Sequence, residues 1–297
     1  MTEILCVGHA VEDHLFRVGD MPATADKHQA KDFEIVGGGP AANAAVAIAR
    51  LGGAARLAAR VGDDAVGASI ISDLEAEGVD CALVRRFPGC KSSLSAVMVD
   101  DSGQRMIVNY LDTDLPADPG WLTAAFPEQL DVVLTDARWP DGALGALSHA
   151  RTASVPGILD ADHPIPKDGA LLRAASHVAF SAQGLCAYAG SDDLERALLA
   201  TAAETDVWCC VTNGGDGVFI AEDGAISHVA ATKVAVVDTL GAGDIWHGAF
   251  AFALARGDAE RDAVRFACAA AAIKVSRPGG RKGAPSLGDV EAFLERS

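Results

Sequence analysis

Short apolar runs of β type recur along the chain, each followed by an Ala/Leu-rich stretch: Ile4 to Val7, Ala54 to Val61, Val132 to Thr135, Gly157 to Asp160, Val178 to Phe180 and Val207 to Thr212. A strand covered on both faces reads as a continuous apolar run, and a helix after each strand carries the chain back to the edge where the next strand begins. The alternation therefore predicts a doubly wound, mostly parallel α/β sheet flanked by helices. Ligands in such sheets bind outside the carboxyl ends of the strands. With 297 residues and 50% hydrophobic content the chain can bury a large core, and residues 1–297 read as one domain.

Two stretches break the pattern. Residues from about 14 to 35 and from 92 to 110 alternate apolar with polar side chains, and the second carries an Asp100-Asp101-Ser102-Gly103 turn between strand-like runs. They predict a small antiparallel sheet projecting from the main body as a lid over a site, with a homodimer through that lid as the expected assembly.

A net charge of −17 excludes a nucleic-acid or anionic-membrane partner, because a phosphate backbone needs a basic face. An anionic ligand must then be held by a few local cations or by backbone amides. The seven cysteines are scattered without a C-x-x-C pair, so neither a zinc site nor a disulfide framework is signalled. No basic and apolar leader precedes Ile4, and no apolar run reaches the roughly 18 residues of a membrane span, so the expectation is a cytoplasmic protein.

The segment Val237-Asp238-Thr239-Leu240-Gly241-Ala242-Gly243-Asp244-Ile245-Trp246-His247-Gly248 reads as a β-branched run, a tight small-residue turn and an apolar helix. Gly241 and Gly243 free the backbone to turn, so the amides of Ala242, Gly243 and Asp244 can converge on one anion at a helix N-terminus. Asp244 would repel that anion, yet stands where a hydroxyl would approach a γ-phosphate, as a positioning base does. An ordinary turn with an Asp cap is the alternative. A second Gly-rich segment, Gly37-Gly38-Gly39-Pro40-Ala41-Ala42-Asn43, opens a helix of very small residues that a polyol could approach closely, with Asn43 offering amide donors and an acceptor. It lacks the G-x-x-x-x-G-K-[ST] phosphate loop and does not follow a first strand as a dinucleotide fingerprint does.

Gly8-x-x-x-x-Asp13, Gly37 to Asn43, Thr212-x-Gly214-x-x-Gly217 and Asp238 to Asp244, in that order and spacing, resemble the ribokinase-like carbohydrate kinases of the PfkB family. The resemblance implies an α/β domain with a β-sheet lid, ATP with Mg²⁺, and transfer of the γ-phosphoryl group to a sugar hydroxyl. By the same resemblance Asp244 is the catalytic base, Gly241, Ala242 and Gly243 form the anion hole, and Asp13, Gly38, Gly39 and Asn43 meet sugar hydroxyls. Asp13 also reads as a plain turn residue. Thr212, Gly214 and Gly217 match the nucleotide loop, with a β-hairpin turn as the competing reading. The segment Lys274 to Gly280 is similar to the family's adenine-side and monovalent-cation loop, which implies K⁺ held by Asp238, Leu240, Arg277 and Gly279. One departure stands out. Where many members carry an Asn-x-x-Glu pair that organises Mg²⁺, this chain reads Ser181-Ala182-Gln183-Gly184, which leaves water and acids such as Asp160 or Asp162 for that task, or as simple strand-end turn residues.

Three polar residues remain: Lys27 between the lid strands, Asn109 at the end of a lid strand and Arg138 after a core strand. Two cations and an amide at one end of a sugar suit a fixed anionic substituent. The surrounding text, with Lys91-Ser92-Ser93 and Arg277-Pro278-Gly279-Gly280-Arg281, resembles the sulfofructose kinases, which act at O1 of 6-deoxy-6-sulfofructose. The alternatives are a kinase of a neutral ketose such as fructose and, from another class, a sugar or nucleotide sensor without turnover. A nucleoside kinase would favour an aromatic pocket, and only 5% of the chain is aromatic.

Overall fold

The computed structural model describes residues 2–162 and 165–296. Its strands are β1 (Glu3–Gly8), β2 (Val11–Arg17), β3 (Asp32–Gly38), β4 (Ala54–Gly62), β5 (Asp80–Phe87), β6 (Leu94–Val99), β7 (Arg105–Tyr110), β8 (Val132–Asp136), β9 (Gly157–Ala161), β10 (His177–Ser181), β11 (Trp208–Thr212), β12 (Val218–Glu222) and β13 (Ala225–Val229). A nine-stranded sheet runs β13-β12-β11-β10-β9-β8-β1-β4-β5, parallel from β11 to β5 and closed at the other edge by the antiparallel β12–β13 pair. All six apolar runs of the sequence are strands of this sheet. Chain order reverses at β1, which lies between β4 and β8, and that crevice is where a doubly wound sheet takes its ligand.

The lid is the four-stranded sheet β3-β2-β6-β7. It is mixed rather than antiparallel, because β2 pairs with β6 in parallel and the connection between them passes through β4 and β5 in the main sheet. Register places Asp13, Ser95 and Asn109 in one row on one face. On the opposite face Phe33, Ile35, Met106, Val108 and Tyr110 are all exposed. The β-branched run before Asp238 is not a strand: Val236 and Val237 are exposed, and the amides of Val237 and Asp238 both donate to the carbonyl of Val275, at 2.7 and 3.1 Å, at the end of a helix.

Two helices carry the small-residue motifs and pack on one another. The helix Pro40–Arg50 reads PAANAAVAIAR, starts with proline in its first turn and buries eight residues from Ala41 to Ile48. The helix Ala242–Ala255 is buried continuously from Ile245 to Ala253. Where they meet, a Cβ added to Gly248 would lie 2.5 Å from the Ala44 carbonyl oxygen and 2.9 Å from the Ala47 Cβ, so backbone touches backbone.

That contact gives a sign test. Alanine is favoured over glycine inside a helix by about 1 kcal/mol, whereas overpacking a close helix contact costs about 1–3 kcal/mol. Gly248→Ala should therefore lower the melting temperature, and a variant that melts at or above the wild type would contradict the contact.

Candidate active site

Asp136, at the end of β8, fastens the crevice. Its Oδ2 accepts the amides of His9 at 2.7 Å and Ala41 at 3.1 Å, and its Oδ1 accepts the Arg138 amide at 2.9 Å. The carboxylate thus joins the ends of β1 and β8 to the first turn of the Pro40–Arg50 helix. Burial raises its pKa, and the three amides oppose that rise. Sequence reasoning did not single Asp136 out; an acid directly after an apolar core strand was the available signal.

Asp244 lies in the first turn of the Ala242–Ala255 helix, which Gly241 caps with φ 74°, a conformation that favours glycine. Gly243 is different: it is exposed, carries no positive φ, and an added Cβ would meet nothing within 4 Å. Its missing side chain leaves open space above the helix end and does not serve the turn. Of the three amides expected to converge there, Ala242 donates to the Thr239 carbonyl at 3.3 Å. Among the described residues those of Gly243 and Asp244 have no protein acceptor. Such a helix start attracts negative charge.

Asn43 donates from Nδ2 to Asp244 Oδ2 at 2.6 Å across 201 residues of sequence, and its own Oδ1 is buried without a partner. Burial raises the pKa of Asp244, the Asn43 bond and His247 oppose the rise, and Asp162 and Asp136 add to it. His247, one turn along the helix, has Nδ1 2.8 Å from the Gly243 carbonyl and Nε2 3.3 Å from that of Ala179. Its Nδ1 also lies 3.5 Å from Asp160 Oδ2, and Asp160 is pushed up to about 7 by burial, with His247 opposing. The other Asp160 oxygen accepts the Asp162 amide at 3.2 Å. Asp160 is thus a buried partner of His247, and Asp162 is exposed.

Asp13 is buried on β2 and hydrogen-bonds Ser95, which accepts from Asn109 Nδ2 at 2.9 Å. Burial raises the Asp13 pKa, the Ser95 bond opposes it, and the Asp244 charge raises it further, so the two carboxylates face one space. Gly38 leaves that space free, since a Cβ there would be 2.2 Å from Asp13 Oδ2, and Gly39 caps the Pro40–Arg50 helix. Arg138 is near enough to lower the Asp13 pKa, and its Nε is buried without a partner. Lys27 does not join them: it is exposed on the loop between β2 and β3 with no hydrogen bond or ion pair among the described residues.

Thr212 ends β11, Gly214 opens a short 3₁₀ turn over Gly214–Asp216, and Gly217 begins the return into β12. The nucleotide-loop and hairpin readings describe the same residues, because this connection joins antiparallel strands at the carboxyl end of β11. The Ser181 to Gly184 departure has a steric basis. Ser181 Oγ caps the helix Ala182–Ala189 by accepting the Gly184 amide at 2.9 Å, and a Cβ on Gly184 would be 2.2 Å from the Ala161 carbonyl, so no glutamate fits there.

Comparison with known proteins agrees with this geometry. Residues 1–287 match the pfkB family of carbohydrate kinases. Over an alignment 314 positions long the chain is 32% identical to the ATP-dependent ribose-1-phosphate kinase of Halopiger xanaduensis, covering 99% of this chain and 98% of that one. It is similar, at 37% identity and a TM-score of 0.91, to the crystal structure of a candidate ribokinase from Agrobacterium tumefaciens, with 100% and 98% of the chains covered. Arabidopsis thaliana ribokinase complexed with ribose and ATP aligns over 100% of both chains at 26% identity and a TM-score of 0.86.

The open space over Gly243 yields a test. Gly243→Ala should melt within a degree or two of the wild type, because its Cβ meets no protein atom, yet lower kcat roughly 10- to 1000-fold by crowding an anion at the helix start. Wild-type turnover would show that no reacting anion lies there.

Proposed function

The chain belongs to the pfkB family of carbohydrate kinases and is an ATP-dependent sugar kinase; we propose that its acceptor is a sugar with a fixed anionic substituent, 6-deoxy-6-sulfofructose phosphorylated at O1. The observation that carries this reading is Arg138 Nε, a buried donor without a protein partner on a residue whose charge reaches Asp13 and lowers its pKa. Leaving such a donor unpaired costs about 1–3 kcal/mol, which a sulfonate or phosphate oxygen would remove. The Halopiger xanaduensis relative, named for a phosphorylated ribose, supports an anionic acceptor.

In this reading Asp13, Gly38, Gly39, Asn43 and Asn109 hold the sugar, and Thr212, Gly214 and Gly217 border the nucleotide. Asn43 occupies Oδ2 of Asp244, leaving Oδ1 for the acceptor hydroxyl. The hydroxyl oxygen bonds to the γ-phosphorus, the bond from that phosphorus to the bridging oxygen of ADP breaks, and the hydroxyl proton passes to Asp244. An ordinary aspartate, with a pKa of about 3.9, cannot ionise an alcohol beforehand, so the proton moves late. The amides of Gly243 and Asp244 face the charge on the moving phosphoryl group. Among the described residues no group of three or more His, Cys, Asp or Glu is placed to hold a metal. Mg²⁺ brought by the nucleotide phosphates would neutralise phosphate charge, and the exposed Asp162 carboxylate at the end of β9 is the residue that would help to hold it, directly or through water.

A neutral acceptor such as ribose is the second reading, favoured by Lys27 standing apart and by the ribose-bound relative. The exposed apolar face of the lid supports pairing of two copies there, which sedimentation equilibrium on the same preparation reads. The acceptor is tested with ATP and a panel of 6-deoxy-6-sulfofructose, ribose 1-phosphate, fructose and ribose. The anionic reading expects the sulfonate to be preferred and Arg138→Ala to lower its kcat/KM roughly 10- to 100-fold, with a smaller loss on fructose. Preference for ribose or fructose, or equal losses on both classes, overturns it.

A further inference from the structure

Lys274 is the last residue but one of the helix Glu260–Val275, and its side chain is fully buried. Its ammonium donates to the Asp238 carbonyl at 2.8 Å and lies 3.0 Å from Asp238 Oδ2. Asp238 is otherwise committed as well. Its Oδ1 accepts the Leu240 amide and its Oδ2 the Gly280 amide, both at 2.8 Å, while its own amide donates to the Val275 carbonyl at 3.1 Å. One aspartate thereby joins three pieces of chain: the end of a helix, the Gly280–Gly283 turn, and the segment running through Leu240 to the Gly241 cap.

A carbonyl and a carboxylate oxygen gathered on one buried positive charge is the kind of donor set a hard cation uses. The resemblance drawn from sequence places a monovalent cation on Asp238, Leu240, Arg277 and Gly279, and these residues do not fit one. The Asp238 carbonyl oxygen and Oδ2 are taken by the ammonium and Oδ1 by the Leu240 amide, and the Gly279 carbonyl accepts the Lys282 amide at 3.1 Å. A second cation at Asp238 would also face the ammonium where little water screens it. Burial lowers the Lys274 pKa and the Asp238 carboxylate opposes that; the carboxylate itself, despite its own burial, is held below the usual range by the Leu240 and Gly280 amides and by Lys274.

We infer that Lys274 is a built-in replacement for a monovalent cation, so that its ammonium positions Asp238 and the turn leading into Asp244, and that K⁺ affects neither stability nor turnover of this protein. Lys274 touches no substrate or reacting atom and is a positioning residue.

The test is a melting series of the full-length protein in KCl, NaCl and tetramethylammonium chloride at one ionic strength, with kcat measured in the same salts on the best sugar of the panel above. The wild type should give the same midpoint and the same kcat in all three. Lys274→Met keeps the stem and removes the charge. In tetramethylammonium it should melt roughly 5–10 °C lower and lose roughly tenfold or more in kcat, and K⁺ or ammonium should restore both selectively. Selective activation or stabilisation of the wild type by K⁺ overturns the inference, as does a Lys274→Met loss that K⁺ and ammonium repair no better than tetramethylammonium. Wild-type behaviour of that variant in tetramethylammonium overturns it too. If the variant folds in none of the salts, the wild-type series decides: a flat response supports the inference and activation by K⁺ refutes it.

Discussion

Gly248 and Ala44 meet backbone to backbone, and the distance between their helices sets how closely Asn43 approaches Asp244. With a Cβ on Gly248 only 2.5 Å from the Ala44 carbonyl, the helices Pro40–Arg50 and Ala242–Ala255 can approach only because one offers alanines and the other a glycine. Asn43 then reaches Asp244 at 2.6 Å. Asp136 fixes the start of the first helix against β1 and β8, and Gly241 fixes the start of the second. The Asn43 side and the Asp244 side of the crevice are therefore joined by packing of the main sheet and its helices, and the lid adds Asp13, Ser95 and Asn109.

The crevice is acidic in a chain already carrying −17, so each buried carboxylate needs its own local answer. Backbone amides serve Asp136, His247 lies beside Asp160, Asn43 donates to Asp244, and Lys274 pairs with Asp238. An anion approaching this field is repelled at long range and attracted at short range by the free amides of Gly243 and Asp244. Such an arrangement suits a ligand that brings its own divalent cation. Arg138 differs from the other cations here in keeping a buried donor unused.

Six strands of the nine-stranded sheet were legible as largely apolar runs, a local property of the chain, whereas β5, whose Asp80, Arg85 and Arg86 interrupt any such run, and the edge pair β12 and β13 were not. The Gly241 to Asp244 turn, the Asn43 helix and the lid strands were legible for the same reason: small residues and alternating patterns are read within a few positions. What escaped depends on distant partners. The mixed lid arises because β2 and β6 are brought side by side by two intervening strands of the main sheet, and the valines before Asp238 lack a neighbouring strand that would make them one. Gly184 is glycine because of the Ala161 carbonyl, Asp136 and His247 gain their places from tertiary contacts, and the Lys274 ammonium meets Asp238 across 36 residues. Lys27, a site candidate as a cation between lid strands, is exposed on the loop between β2 and β3, whose path no local pattern in the sequence gives.

The link between Asn43 and Asp244 is the claim on which the rest turns, and a double-mutant cycle in kcat/KM measures it directly. Asn43→Ala, Asp244→Asn and the double variant are compared with the wild type using ATP and the preferred sugar. If Asn43 acts by orienting Asp244 as well as by meeting the sugar, the double variant should lose clearly less than the sum of the two single losses, a non-additivity of about 1–3 kcal/mol. Losses that simply add would mean that the two side chains work independently, and the account of the crevice as one joined site would be wrong.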